Sequence, residues 1–458
     1  MCVEKRYAMY KRIVFFQPST TAKSNYQNAD GKEQCWAPWF ALTLSPIART
    51  WGIEVELIDA RTQENWKDRV SSLTDEDVLA VSVMTGHTIV DAIESSTIAK
   101  NCGAYVIWGG PHVTLFPMET LEESPADAII SGFGFDPFWK FVEFLVNPDC
   151  QDVYSGKFSF KELPINRTAA PLKQSSQRKV YRKNNGLLPF DLHLVPDWSK
   201  YVNPDVAIAS RTVNFITSEG CPRPCTFCSE PSTSKNIWLT RSIEQSIDTC
   251  VELLEMTNAN GLKLHDPNFF HNKERALEFA KGIAQYKRIP WAATIHPADL
   301  NAMPDEILTL FRDTGLSRVL IGLESPYPRV IRMAGKKYDA HLIPDMAKRL
   351  ANLGIRGMFT FIVGWPNTDI SHYEGTIKCA YNIKQIWSEH QSKIHFLEPW
   401  PGTPIYQLLV RQGFKYPSSL SEWAEIDYYQ AQFMQIHDQS IMEAVKNANS
   451  ELSPYVSA

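Results

Sequence analysis

The 458-residue chain has no long apolar run; its hydrophobic stretches are short and broken by charge, which excludes a membrane span. The opening residues Met1 to Tyr7 carry charge with no apolar core or small-residue cleavage site behind them, so they do not read as a secretory signal. Charge of one sign is also missing. The net charge is −5, from 46 Lys and Arg against 51 Asp and Glu, which leaves no electrostatic footprint for nucleic acid. One basic run (Arg178, Lys179, Arg182 and Lys183) falls in a polar stretch and reads as solvated linker. Nine cysteines in so large a chain do not make a disulfide framework, and there is no internal repeat. No histidine precedes His87. What remains is the composition of a globular protein, 44% hydrophobic and 21% charged, expected to be cytoplasmic and to hold two or three domains.

The first third alternates strand and helix signals. Apolar runs at Arg12–Phe16, Val55–Asp59, Val78–Val83, Tyr105–Trp108 and Ala128–Ile130 are separated by stretches of helical spacing such as Ile89 to Asn101. That pattern predicts a parallel sheet covered on both faces, a doubly wound, Rossmann-like domain over residues 1–150. Turn residues follow the strands at Thr85-Gly86-His87, Gly109-Gly110-Pro111-His112 and Gly132-Phe133-Gly134. Ligands of open parallel sheets sit outside the carboxyl ends of the strands, so these loops are candidate binding loops. Residues 151–205 lose the periodicity and are rich in Lys, Ser, Asn and Pro, which predicts a connector with little structure of its own. From Asn214 the alternation resumes through six strand signals, predicting a partial (βα)6 barrel over 206–405 with its reactive face at the strand carboxyl ends. Residues 406–458 have helical spacing and many aromatics, including Trp423, Tyr428, Tyr429 and Phe433, and form a helical C-terminal region.

Three of the nine cysteines fall within eight residues, Cys221-Pro-Arg-Pro-Cys225-Thr-Phe-Cys228, just past the first barrel strand. Thiolates are the usual protein ligands of iron–sulfur clusters, and three on one tight loop hold three irons of a cubane while the fourth stays open. A zinc site would need a fourth ligand, which His265, His296 or another cysteine would have to supply from a distance. The spacing resembles the radical S-adenosylmethionine (SAM) superfamily, and the resemblance runs from about Asn214 to Tyr406. It is supported in order by His265-Asp266-Pro267-Asn268, by Gly322-Leu323-Glu324-Ser325, by Gly364-Trp365-Pro366, and by Pro399-Trp400-Pro401-Gly402-Thr403-Pro404. The resemblance implies a 4Fe–4S cluster on Cys221, Cys225 and Cys228, with SAM contacted by Asp266, Asn268, Glu324, Ser325 and Gly364. The chain departs from the family pattern in two places. Asn367-Thr368-Asp369 stands where a glutamate is usual, and His296-Pro297 stands where many relatives have an arginine.

The N-terminal third is similar to the cobalamin-binding domain of the largest subgroup of that superfamily. The likeness lies in Ser82 to Gly86, Trp108 to His112 and Gly132 to Phe135. It implies that cobalamin is contacted by Ser82, Thr85, Gly86, Gly109, Gly110, His112, Gly132 and Gly134. The D-x-H-x-x-G loop of cobalt-ligating relatives is absent, the loop after Phe16 reading Gln17-Pro-Ser-Thr-Thr-Ala-Lys, so no histidine ligand is expected from it. Cys35-Trp36 lie before the next helix and either cover the corrin or simply pack. With both cofactors the resemblance implies a methyltransferase of natural-product biosynthesis. A methyl group would pass from SAM, by way of methylcobalamin, to an unactivated carbon or a phosphorus of a small-molecule substrate, with electrons from a donor such as flavodoxin or ferredoxin. An oxidative cyclase or ring-rearranging enzyme of the same architecture is the alternative. A non-catalytic cobalamin or redox sensor is the distant one.

Overall fold

The computed structural model describes residues 10–19, 35–146, 158–160 (backbone only), 187–205, 207–426 and 439–453. They fall into two compact units whose segments interleave along the chain. The first holds residues 37–197 with 10–19 and 415–426; the second holds 198–414 with 35–36 and 439–453.

The first unit is a six-stranded sheet of β1 (Arg12–Gln17), β2 (Glu54–Asp59), β3 (Asp77–Ser82), β4 (Tyr105–Gly109), β5 (Ala128–Ile130) and β6 (Phe158–Phe160). Its order is β2-β1-β3-β4-β5-β6, with β1 to β5 parallel and β6 antiparallel at the edge. The order reverses between β1 and β3, which is where such sheets open a crevice at their carboxyl edge. Strand β1 explains the covering of both faces: Ile13, Val14, Phe15 and Phe16 are all fully buried. Phe15 meets Phe138 of helix Phe135–Val146 at 5.8 Å, and Phe16 meets Trp66 of helix Trp66–Ser71 at 5.2 Å. Each such side chain contributes about 1.5–3 kcal/mol through burial.

In the second unit seven strands run β15-β14-β13-β12-β11-β8-β7. They are β7 (Asn203–Asp205), β8 (Ala209–Phe215), β11 (Gly261–Leu264), β12 (Trp291–Ile295), β13 (Leu316–Glu324), β14 (Arg356–Val363) and β15 (Gln391–Phe396). Two short strands, β9 (Ser218–Glu219) and β10 (Leu239–Thr240), pair by themselves. Strands β8 and β11 to β15 are parallel, the six-stranded partial barrel, with β7 antiparallel on its rim. Helices cover the outside. Phe215 stacks on Phe279 of helix Lys273–Tyr286, and Trp291 packs against Phe311 of helix Asp305–Asp313.

Three departures from the sequence reading have local causes. Strand β8 begins at Ala209, ahead of Asn214, and stops at Phe215, because the Thr217 amide leaves the ladder for a side chain. The stretch expected to be unstructured supplies the edge strand β6, and its end is packed, with Leu192, Leu194, Trp198 and Tyr201 buried. Its polar composition hid those few apolar anchors. The C-terminal region is not one element: helix Leu420–Ala424 joins the first unit, whereas helices Pro404–Arg411 and Gln439–Leu452 belong to the second. Tyr428, Tyr429 and Phe433 lie outside the described residues.

The exposed edge of β15 is closed by one side chain. The Asn449 amide accepts from Ile394 N at 2.8 Å and donates to Ile394 O at 2.9 Å, satisfying a strand residue that has no neighbouring strand on that side among the described residues. Asn449→Ala is expected to cost about 1–3 kcal/mol, read as a lowered urea midpoint at unchanged slope.

Candidate active site

The cysteine loop leaves the barrel between β9 and helix Glu230–Ser234. Proline on both sides of Arg223 keeps Cys221 and Arg223 extended, because the residue before a proline is driven from the helical region. The loop is tied at both ends. Its entrance is held by Asp266, whose buried carboxylate accepts from Thr217 N (3.0 and 3.2 Å), Thr217 Oγ1 (2.7 Å) and Ser218 Oγ (2.5 Å). Arg275 closes the same knot, donating to Thr217 Oγ1 at 2.9 Å and Thr217 O at 3.1 Å. Beyond Cys225, Thr226 N donates to Ala334 O at 3.1 Å, and Ile405 N donates to Thr226 O at 3.2 Å. Ser232 Oγ reaches Gly402 O at 3.0 Å, so the Pro399–Pro404 segment clasps the loop.

The three thiols are half-buried and unbridged. Burial pushes all three up from their usual range, Cys228 to about 12. The Glu230 amide, 3.4 Å from the Cys228 sulfur, and the cations Lys336 and Arg223 act in the opposite direction. Among the described residues no three His, Cys, Asp or Glu side chains gather closely enough to chelate one ion. A four-iron cluster makes a different demand, since each thiolate takes its own iron and metal coordination deprotonates it. Arg223 also has a buried Nε with no partner among the described residues. The donor set fits a 4Fe–4S cluster.

Around this loop the strand ends bring the expected SAM residues to the same end of the barrel. Asn268 links two of them, donating to Asp299 at 2.7 Å and accepting from His296 N at 3.2 Å, while Asp299 pairs with Arg223 of the cysteine loop. Glu324 ends β13 with a left-handed backbone and an ion pair to Lys336 at 2.7 Å, both side chains only 7% exposed. That pair favours the glycine two residues earlier, because a Cβ on Gly322 would come within 2.4 Å of Glu324 Oε1 and 2.7 Å of Lys336 Nζ and make them shift. Ser325 is buried at 3.0 Å from His372 Nε2, and Gly364 turns the chain after β14 with φ +89. The two departures from the family pattern are both helix caps. His296 Nδ1 accepts from Ala298 N, and Asp369 accepts from Ser371 N. Lys336, Arg275, Asp299 and His372 are the residues that the sequence reading missed; each acts through a partner distant in sequence, for which no spacing rule exists.

In the first unit the candidate loops follow three adjacent strands. Ser82 closes β3 and Gly109 closes β4. His112 N donates to Val83 O at 3.0 Å, and its Nδ1 lies 3.0 Å from Thr85 Oγ1. Gly110 is required by this crossing: its φ is +103, and a Cβ there would sit 2.8 Å from both Val83 N and O. Gly132 N donates to Thr114 Oγ1 at 2.8 Å, which joins the third loop to the second. Gly86 has φ +96, and a Cβ at Gly134 would come no nearer than 3.6 Å to Leu44. His112 is 1% exposed and stands 5.3 Å from Phe116 and 6.3 Å from Trp423, so its ring braces the loop. His87 adds a buried Nε2 with no partner among the described residues, at the loop beside the β1/β3 crevice. Most of the loop after β1, residues 20–34, lies outside the described residues. Cys35 and Trp36 belong to the second unit, where Trp36 packs edge-on to His265 at 3.5 Å.

The profile of the radical SAM superfamily matches residues 215–380. An uncharacterized methyltransferase of Pyrococcus horikoshii is 25% identical over 382 residues, 82% of this chain and 79% of that one. Cytidylyl-2-hydroxyethylphosphonate methyltransferase of Streptomyces wedmorensis is 23% identical over 465 residues, 89% of this chain and 83% of that one. Among solved structures, the radical SAM methyltransferase TsrM of Kitasatospora setae, with cobalamin and a 4Fe–4S cluster bound, has the same fold. Its TM-score is 0.69 at 13% identity, over 96% of this chain and 91% of that one. Residues 215–380 thus form a radical SAM domain, and the chain shares its fold with a cobalamin-binding radical SAM methyltransferase. The cluster and SAM are therefore its cofactors. No helix among the described residues is long and apolar enough to cross a membrane.

Burial holds the imidazoles of His112 and His372 down to about 4, from an ordinary 6.5. Between those values the unfolded chain binds protons that the folded one refuses, so stability falls as pH drops from 6.5 to about 4. His112→Gln is expected to flatten that decline by up to about one proton, read from urea unfolding across the pH range.

Proposed function

We propose that this enzyme is a cobalamin-dependent methyltransferase that moves a methyl group from SAM to an unactivated carbon, or to phosphorus, of a small-molecule substrate. The observation that carries this reading is the presence in one chain of a braced three-cysteine loop at the barrel's carboxyl end and a glycine-rich carboxyl edge on a Rossmann-like sheet. The methyltransferase names of two relatives aligned over more than four-fifths of the chain support it. When bound, the cluster and cobalamin supply one-electron cleavage of SAM and methyl carriage, chemistry that no side chain provides.

The chain's own residues bind and position. Cys221, Cys225 and Cys228 would each hold an iron, with the loop fixed by Asp266 and Thr226 so that the open iron faces a constant geometry. Glu324, neutralised by Lys336, and Asn268, held between Asp299 and His296, are the groups proposed to receive SAM, with Gly364 leaving room beside it. Asp266 and Ser325, whose oxygens already serve Thr217, Ser218 and His372, position those contacts. In the first unit Ser82, Thr85, Gly86, Gly109, Gly110, Gly132 and Gly134 would line cobalamin, with His112 steadying Thr85. A flavodoxin or ferredoxin is the proposed electron source, the cytoplasm the proposed compartment, and natural-product biosynthesis the proposed setting.

Replacement of all three cysteines by alanine is expected to reduce iron content to background and abolish formation of 5′-deoxyadenosine; native iron content in that variant would sink the cluster assignment. The methyl-transfer reading is tested anaerobically with cobalamin, a reductant and methyl-deuterated SAM, followed by mass spectrometry. Deuterium on the cobalamin fraction, with S-adenosylhomocysteine released, is the expected result. Bound cobalamin that never acquires label while 5′-deoxyadenosine forms would replace it with the cyclase or rearrangement reading.

A further inference from the structure

Two segments that grip the cysteine loop contain no acid. Residues 328–337 read Pro-Arg-Val-Ile-Arg-Met-Ala-Gly-Lys-Lys, and residues 399–414 carry Arg411 as their one charge, although 51 of the chain's 458 residues are Asp or Glu. Lys336 turns inward to Glu324. The other three cations of residues 328–337 do not. On helix Pro328–Met333, Val330 and Ile331 are buried, while Arg329 and Arg332, three residues apart, share the exposed side. Lys337 is exposed beside the inward Lys336. None of Arg329, Arg332 and Lys337 makes an ion pair or a hydrogen bond among the described residues. Arg12, Arg69, Arg318, Arg349 and Arg356, by contrast, each face a carboxylate.

An unpaired arginine on a surface is ordinarily no more than solvated. What sets these apart is where they stand. Thr226, next to Cys225, donates through N to Ala334 O at 3.1 Å and through Oγ1 to Met333 O at 2.5 Å. Gly335 lies so close to the loop that a Cβ on it would come 2.7 Å from Pro224 O. Counted through the Thr226–Ala334 bond and two stretched residues, the Arg332 Cα is within roughly 15 Å of the Cys225 Cα. On the other arm of the loop Lys235 caps helix Glu230–Ser234 and is exposed, and Ile237 after it is 46% exposed.

The chain as a whole is negative, at −5, so an acidic partner is repelled at long range and is drawn in only where cations gather. Protein electron carriers meet their partners in brief contacts that bury less than about 1,200 Å², an area that a few side chains can command.

We infer that the face formed by Arg329, Arg332 and Lys337 docks an acidic protein that carries one electron at a time, beside the cysteine loop. This rests on the reading of a cluster on Cys221, Cys225 and Cys228, and adds the surface through which its electron enters. In the docked pair the carrier is oxidised by one electron and the cluster is reduced by one, with no atom exchanged.

The test follows docking and electron entry separately, on the anaerobic, iron-loaded protein. Oxidised flavodoxin and, in a parallel series, oxidised 2Fe–2S ferredoxin are passed over the immobilised protein at rising salt. At least one is expected to bind, with an association rate that falls steeply as salt screens the charges. The Arg329→Glu, Arg332→Glu double variant is expected to slow association by about tenfold at low salt. Lys281→Glu, on the outer face of helix Lys273–Tyr286, should leave it unchanged. The reduced carrier should also reduce the cluster about tenfold more slowly in the double variant, followed by loss of visible absorbance. Dithionite, which needs no docking, should reduce both proteins at one rate. Failure of both carriers to bind the unaltered protein overturns the inference, as does native association by the double variant at native iron content. A protein that loads iron and takes an electron from dithionite, yet ignores both carriers, loses only this inference. One whose cysteines hold no iron loses the cluster reading and this inference with it.

Discussion

A single buried carboxylate fixes how the cysteine loop leaves the barrel. Asp266 lies two residues past β11 and takes hydrogen bonds from Thr217 and Ser218 just past β8, which stops that strand and bends the chain toward Cys221. In the low-dielectric interior an unsatisfied carboxylate is expensive, so the bonds are strong because their alternative is costly. Burial raises the proton affinity of Asp266, and its four hydrogen bonds with Arg275 nearby work to keep it ionised. Every contact the loop makes later, to Ala334, Gly402 and Ile405, presupposes that exit direction.

Both units gather their candidate residues at the carboxyl ends of parallel strands, for the same reason. Strands in a parallel sheet are joined by helices that return on the faces, so only the loops at one end are free to vary without disturbing the core. Those loops are then braced by side chains bonded to the candidate residues. His112 on Thr85, Thr114 under Gly132, His372 on Ser325 and Asp299 on Asn268 are of this kind. The Glu324–Lys336 pair shows the cost in sequence freedom, since a Cβ at position 322 would force Glu324 Oε1 and Lys336 Nζ to move.

Much of this was legible beforehand because it depends on period. Strands β1, β5, β11 and β12 announce themselves by apolar runs between turn residues, and helices such as Lys273–Tyr286 by an apolar stripe. The cysteine triad needs only local spacing. What could not be read rests on partners far apart in the chain. Lys336 looks like one more surface lysine until β13 and the turn at Gly335 bring it to Glu324. Trp36, read as covering the corrin or merely packing, sits over Lys263, a residue more than two hundred positions later.

The packing of Trp423 on His112 and Phe116 has a consequence for the order of events at the ribosome. The sheet of the first unit is complete by Phe160, yet the aromatic that covers one of its loops is translated more than 250 residues afterwards. Until then that patch stays bare while the barrel is being made, and a nascent chain stalled within the barrel would expose it to chaperones. The two units interleave along the chain, and helix Leu420–Ala424 finishes what the first strands began.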